Sequence, residues 1–298
     1  MHATALRANI LLCITAAIWG AAFVAQRVGM EHVGPYTFNG VRFLLGAAAL
    51  APLIWRMHKA GAGHPAPTRP GLKSYLLGGV AAGAILFAGA TLQQVGLMYT
   101  TAGKAGFITG LYVVIVPFMG LCFRMRSTLG AWVGAGLAAV GLYFLSITED
   151  FTIAYGDLLE LVGAVFWAGH VLILGWLSQR LDPVKLACAQ FVTCGICSLA
   201  MAVATEPITA SGLAGATPAI LYGGLMSVGV AYTLQVVAQR DAHPTHAAII
   251  LSLEAVFAAI TGYFMLDEVL SPRGMLGCGL MMGGMLLSQL WPGNPSKA

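Results

Sequence analysis

The sequence predicts an all-α integral membrane protein with ten transmembrane helices arranged as two inverted five-helix repeats. Composition, the spacing of apolar windows and an ordered set of internal matches predict it. Of 298 residues, 58% are hydrophobic and 9% charged, and the mean hydropathy is +0.83. Soluble domains carry about 25% charged residues, so most of this chain is expected to lie in lipid. The 38 glycines fit closely approaching membrane helices.

A helix needs about 20 apolar residues to cross the hydrocarbon core. Ten such windows follow one another at 9–29, 35–55, 73–95, 102–123, 128–147, 156–178, 183–204, 217–239, 245–266 and 272–291. The Pro- and Gly-rich stretch 58–73 is the longest connector and is expected to be an exposed loop. Arg7 ahead of the first window resembles a signal-peptide start, but that window has a counterpart later in the chain and is expected to be a span.

Basic residues favour cytoplasmic loops. With the N-terminus inside, one side collects Arg7, Arg56, Lys59, Arg69, Lys73, Arg124, Arg126, Arg180, Lys185, Arg240 and Lys297. The other collects Glu31, Glu149, Asp150, Asp157, Glu206, Asp267 and Glu268, with Arg27 and Arg273. Trp55, Trp132, Trp176 and Trp291 fall at window ends on the basic side, where an interfacial belt belongs. The expectation is a multi-pass membrane protein with both termini cytoplasmic.

The repeats follow from matches in order. Trp19 and Pro35 recur 148 residues later as Trp167 and Pro183, and Thr-Leu-Gln at 91–93 recurs at 233–235, an offset of 142. Ser127 and Gly130 recur as Ser271 and Gly274; Gly134 and Gly141 are echoed by Gly277 and Gly284. The first repeat is read as 1–147 and the second as 148–298. Five spans is an odd number, so the second repeat is upside down, as in secondary transporters with a site near the midplane.

These residues also carry a family resemblance. SLEAVFAAITGYFMLDEVLSPRGMLGCGLMMGGMLL (252–287) resembles the last two helices of an EamA-type repeat in the drug/metabolite transporter superfamily. IWGAAFVAQRV, PYTFNGVRFLLGAAAL and TTAGKAGFITGLYVVIVPF resemble the first, second and fourth. Two positions depart from the pattern: Glu254-Ala255 stands where Glu-Pro is usual, and Arg124 replaces an acidic residue that the second half keeps as Glu268. Within the superfamily the chain looks most similar to the YddG-type exporters of amino acids. The resemblance implies a carrier rather than an enzyme.

Glu254 lies about 14 Å into its span at 1.5 Å per residue. An intramembrane carboxylate points to function by default; the alternative is a fold residue tying helices across the repeat interface. Trp19 and Trp167 lie too deep for an interfacial belt and are read as aromatic walls of a cavity, against the alternative of helix packing. Phe23, Gln93, Tyr112, Tyr232 and Gln235 complete the expected lining, with His170 adjoining Trp167 on its helix face. Tyr112 takes the place of Glu254 in the first repeat, and Gln93 that of Gln235. Glu160 is placed near the cytoplasmic interface and read as structural. Arg42 is expected to snorkel or pair structurally and Lys104 to snorkel, with a substrate carboxylate as the alternative for both.

The six cysteines all fall in spans and are read as apolar filler. His243-Pro-Thr-His246 lacks a third zinc ligand, and Gly130/Gly134 and Gly279/Gly283 are read as helix-packing motifs. No catalytic residue, metal site, cofactor or nucleic-acid partner is expected. The expected partners are the bilayer and a small-molecule substrate, an amino acid, with oligomeric state left open. Other small metabolites or cationic drugs are the alternative substrates, and a channel or an intramembrane enzyme the alternative classes.

Overall fold

The structure is a computed structural model that describes residues 2–59, 71–122, 129–146, 154–269 and 271–291. Most of the predicted 58–73 loop, together with Glu149, Asp150, Arg69, Arg124, Arg126 and Lys297, lies outside the described residues. The described chain is helical throughout: α1 (His2–Gly29), α2 (Pro35–Lys59), α3 (Leu72–Gly96), α4 (Ala102–Thr109), α5 (Tyr112–Cys122), α6 (Leu129–Ser146), α7 (Tyr155–Leu177), α8 (Pro183–Thr205) and α9 (Ala210–Leu221) come first. A π-helix (Tyr222–Tyr232) follows, then α10 (Thr233–Ala238), α11 (Pro244–Leu251), α12 (Glu254–Leu266) and α13 (Pro272–Leu290).

Ten crossings result, because α4–α5, α9–π–α10 and α11–α12 each form one span. Eight are long and apolar enough to cross a membrane by themselves; α6, with 18 residues, and α13, with 19, complete the set. The starts follow the sequence. Pro183 and Pro244 stand at first-turn positions behind the side-chain caps Asp182 and His243. His243 Nδ1 accepts from the Thr245 backbone N–H at 3.3 Å, so the His-Pro-Thr-His segment is explained by capping. Ser271 caps α13 by accepting from Gly274 N.

The two halves are intimately packed, and three spans of the first lie against their counterparts in the second: α2 on α8, α4 on α12, and α6 on α13. The α6–α13 crossing shows that the relation is inverted. A Cβ on Gly141 would lie 2.5 Å from Gly277 O, and one on Gly284 would lie 2.5 Å from Gly134 O. Gly134 and Gly141 correspond to Gly277 and Gly284, so early residues of one helix meet late residues of the other, the reciprocal contact of an antiparallel two-fold pair. A second matched pair ties spans within each half: Gln94 Nε2 donates to Gln26 O at 3.3 Å, and Gln239 Nε2 to Val171 O at 3.0 Å.

The helix-packing motif expected at Gly279 and Gly283 is corrected: a Cβ at either meets nothing within 4 Å. Glycine spacing alone does not give the face, and the buried face of α13 carries Gly277 and Gly284 instead. Gly130 does pack, against Trp291.

The two ends of the bundle differ. At the basic end, cations sit on interfacial rings, Lys59 Nζ 3.9 Å from the Trp55 centroid and Arg180 Cζ 4.2 Å from that of Trp176. At the acidic end, carboxylates of the second half clasp helix starts of the first. Glu206 accepts from Tyr36 N and Thr37 N at 2.8 Å and from the Thr37 hydroxyl at 2.7 Å. Glu268 accepts from Ala102 N and Gly103 N, both at 3.0 Å. Asp267 makes that turn with a left-handed backbone, φ 53°, a conformation Asp tolerates better than most residues. Both carboxylates also meet the positive end of a helix dipole.

Gly284→Val is expected to destabilise the protein by about 1–3 kcal/mol, the cost of overpacking, while Gly279→Val changes little; melting of the two variants in detergent checks the pair.

Candidate functional site

The spans around the midplane enclose a cavity lined by Trp19, Ala22, Phe23, Gln26, Arg42, Gln93, Thr109, Tyr112, Trp167, Val171, Ser227, Tyr232, Gln235, Leu251 and Glu254. Eight of the nine residues expected to line a substrate site are there. The ninth, His170, is corrected. It lies behind the wall, with its ring 6.0 Å from Trp167 and 6.2 Å from Tyr232, and its Nε2 is 2.9 Å from Gln190 Oε1. Adjacency on one helix face put it beside Trp167, but a three-residue step turns it into the α7–α8 interface.

Tyr232 is the centre of the aromatic wall. Trp19 packs on it at 4.5 Å between centroids, Trp167 at 6.3 Å, and Phe43 and Phe191 at 5.9 Å each. The two tryptophans therefore flank Tyr232 instead of facing each other directly. Trp19 Nε1 donates to Ser227 O at 3.3 Å, whereas Trp167 Nε1 is buried with no hydrogen-bond partner. Ser227 and Tyr232 come from the π-helix, whose wider turn brings residues five apart onto one face. A 3.6-residue period does not join them, so Ser227 was not legible as a lining residue.

The glutamines behave unequally. Gln93 Nε2 donates to Gln26 Oε1 at 3.2 Å, and Gln26 Nε2 to Ala22 O at 3.1 Å. Gln235 Oε1 has no partner. Amides at this depth want partners at both ends, so the second-half glutamine brings unused acceptor capacity to the cavity.

Span four and span nine change at the same repeat position. Around Gly110–Leu111 and Ser252–Leu253 the α-helical ladder tightens to three-residue bonds, including Val113 N to Gly110 O at 3.1 Å and Ala255 N to Ser252 O at 3.2 Å. Tyr112 and Glu254 each open the helix beyond the break. Both side chains line the cavity, and the Tyr112 hydroxyl is buried with no hydrogen-bond partner among the described residues. Placement in the first turn of α12 sets the Glu254 carboxylate where the helix dipole favours negative charge.

Three expectations for charged groups are corrected. Glu160 lies toward the acidic end, accepting from the Thr109 hydroxyl at 3.1 Å and abutting Gly96; its span starts from that end, so four residues in cannot be near the basic side. Lys104 neither snorkels free nor reaches the cavity; it pairs with Asp157 at 3.1 Å, and Thr100 also donates to Asp157 at 2.9 Å. Arg42 does not snorkel. It is 2% exposed and lines the cavity.

In this conformation the cavity has a volume of about 30 Å³, room for about two water molecules. Among the described residues, no group of three or more His, Cys, Asp or Glu side chains could hold a metal ion.

The sequence profile of the EamA-like transporter family matches residues 6–147 and again 154–290. The chain belongs to the EamA-like transporter family. It is accordingly a multi-pass membrane transporter. This EamA-like chain is similar to an uncharacterized transporter of Archaeoglobus fulgidus, at 32% identity over 292 residues, covering 96% of this chain and 86% of the relative. It is 26% identical to the inner membrane transporter YedA of Escherichia coli over 299 residues, covering 94% and 91%. A solved crystal structure shares the fold, with a TM-score of 0.71 at 16% identity, covering 95% of this chain and 97% of the other.

Proposed function

We propose that this EamA-like transporter exports amino acids, aromatic ones included, across the bacterial inner membrane by alternating access. The observation that carries the reading is the aromatic wall of Trp19, Tyr232 and Trp167 in one cavity with the Glu254 carboxylate. Flat rings hold an apolar or aromatic side chain by stacking, and a carboxylate is the natural partner of an ammonium group. The resemblance of the sequence to YddG-type amino-acid exporters supports the same substrate class, and the name of YedA supports the inner membrane as location.

An amino acid does not fit a space of about 30 Å³, so transport requires the halves to separate around the cavity. At the acidic end, opening breaks the Glu206 and Glu268 clasps and the Lys104–Asp157 pair. We take that end as periplasmic and the basic end, with both termini, as cytoplasmic, following the distribution of Lys and Arg. The state described is then closed to the outside, and solute enters from the basic side.

Three measurements test these points. In an otherwise Cys-free protein, Glu31→Cys is expected to react with an impermeant maleimide added to intact cells, and Lys59→Cys to be protected; the opposite pattern reverses the orientation. Trp19→Ala and Trp167→Ala are expected to reduce counterflow of phenylalanine, tyrosine and tryptophan about fivefold more than that of alanine or serine, since a stacked ring contributes about 1 kcal/mol beyond its buried area. Equal losses for every solute would make the rings packing residues, and preferred exchange of carboxylate-free amines would favour cationic drugs as substrates. Glu254→Gln keeps size and hydrogen-bonding capacity, so transport is expected to fall about 10- to 100-fold while the protein folds, the loss of a charge-assisted hydrogen bond. Near-normal transport by Glu254→Gln would leave the carboxylate as a fold residue.

A further inference from the structure

We infer that Arg42 recognises the carboxylate of the transported solute and fixes its orientation in the cavity, an assignment that rests on the amino-acid reading above. Arg42 is among the largest fully buried side chains and lines the cavity wall. A buried guanidinium normally has an acidic partner, because removing a cation from water costs several kcal/mol (roughly, per ion). Among the described residues, no carboxylate lies within 4 Å of it, and the ion pair present is Lys104–Asp157.

What holds Arg42 leaves its binding edge available. Nε donates to Asn39 Oδ1 at 3.0 Å, and Asn39 Nδ2 in turn donates to Ala90 O at 3.0 Å. Two aromatic rings flank the guanidinium, with Cζ 4.9 Å from the Phe43 centroid and 5.5 Å from that of Phe38. Neither Nη has a hydrogen-bond partner among the described residues. A planar fork, oriented through Nε and set against two aromatic rings, suits the two oxygens of a carboxylate. A purely structural arginine would use its Nη groups to join helices; this one makes its hydrogen bond through Nε, to Asn39 of its own helix.

The repeat symmetry sharpens the point. At the 148-residue offset that relates Trp19 to Trp167, Arg42 corresponds to Gln190, which is engaged with His170 and does not line the cavity. Likewise Tyr112 stands where the second half has Glu254. One cation and one carboxylate thus occupy a two-fold scaffold without their mirror images, and they are not paired with each other. A zwitterion satisfies both, with its carboxylate on Arg42, its ammonium on Glu254 and its side chain among the rings. A cationic amine without a carboxylate would leave Arg42 unpaired.

Counterflow of labelled phenylalanine in proteoliposomes of the full chain tests this, with phenylalanine, phenylalanine amide, phenethylamine and 3-phenylpropionate as competitors. Wild-type protein is expected to be competed about 10- to 100-fold less well by the amide and by phenethylamine than by phenylalanine, the range of a charge-assisted hydrogen bond. In Arg42→Gln the ratio of phenylalanine to amide is expected to collapse toward one, and in Arg42→Lys to fall between. Equal competition by phenylalanine and its amide in the wild type, with exchange intact, overturns the Arg42 assignment and leaves the amino-acid reading standing. Absence of exchange with every amino acid overturns both. Should Arg42→Gln fail to fold, the wild-type competition panel decides the matter by itself.

Discussion

In lipid, helices gain nothing from hydrophobic association, since the surrounding chains are as apolar as leucine. A bundle holds only where backbones come close enough for dispersion and where each polar group has a partner. In this protein that constraint is met at the α6–α13 crossing, where Gly141 lies on Gly277 O and Gly284 on Gly134 O. The contact is reciprocal, so one geometry serves both halves and fixes them as an antiparallel pair. The α2–α8 and α4–α12 pairings repeat the relation nearer the axis, and the cavity is what remains between them.

The polar contacts between halves are distributed differently. Carboxylate–amide bonds gather at the acidic end, where second-half carboxylates meet helix starts of the first half, while single hydrogen bonds to carbonyl and hydroxyl oxygens join the halves elsewhere. Such contacts are directional and depend on a few atoms, whereas glycine packing is spread along a helix. Halves that rock against each other can break a small set of directional bonds at one end while the crossing of α6 and α13 stays packed. Concentrating carboxylate–amide bonds at one end therefore lets the same fold be rigid laterally and separable at its mouth.

Much of the fold was legible because in a membrane the hydropathy pattern reports the spans directly. All ten windows correspond to crossings, and Trp19, Tyr112, Tyr232 and Glu254 were visible as polar or aromatic groups at depth, where neither belt nor loop explains them. What was not legible depends on direction about the helix axis. His170 shares a face with Trp167 by spacing, yet a rotation of a few tens of degrees sends its ring toward Gln190. Gly279 and Gly283 have the spacing of a packing motif, but the buried face belongs to Gly277 and Gly284. The π-helix changes the period itself, so Ser227 could not be placed beside Tyr232 by any α-helical template. Arg42 was misread for a different reason: depth alone suggested a side chain long enough to reach the interface, whereas Phe38, Asn39 and Phe43 of its own helix hold it inward.

Duplicated halves create a cavity whose two sides begin alike, and a symmetric cavity has no preferred orientation for a solute with unlike ends. Where the halves keep the same residue, as at Trp19 and Trp167 or Gln93 and Gln235, the shared groups supply shape. Where they have diverged, direction appears. Arg42 against Gln190 and Tyr112 against Glu254 place opposite charges on different walls, and the π-helix, with no counterpart in α3, swings Tyr232 between the tryptophans. Both charged divergences carry a cost in lipid, a guanidinium without an acidic partner among the described residues in one case and a buried carboxylate in the other. On the amino-acid reading proposed above, shared shape with separated charge suits a solute having one positive end, one negative end and an apolar body.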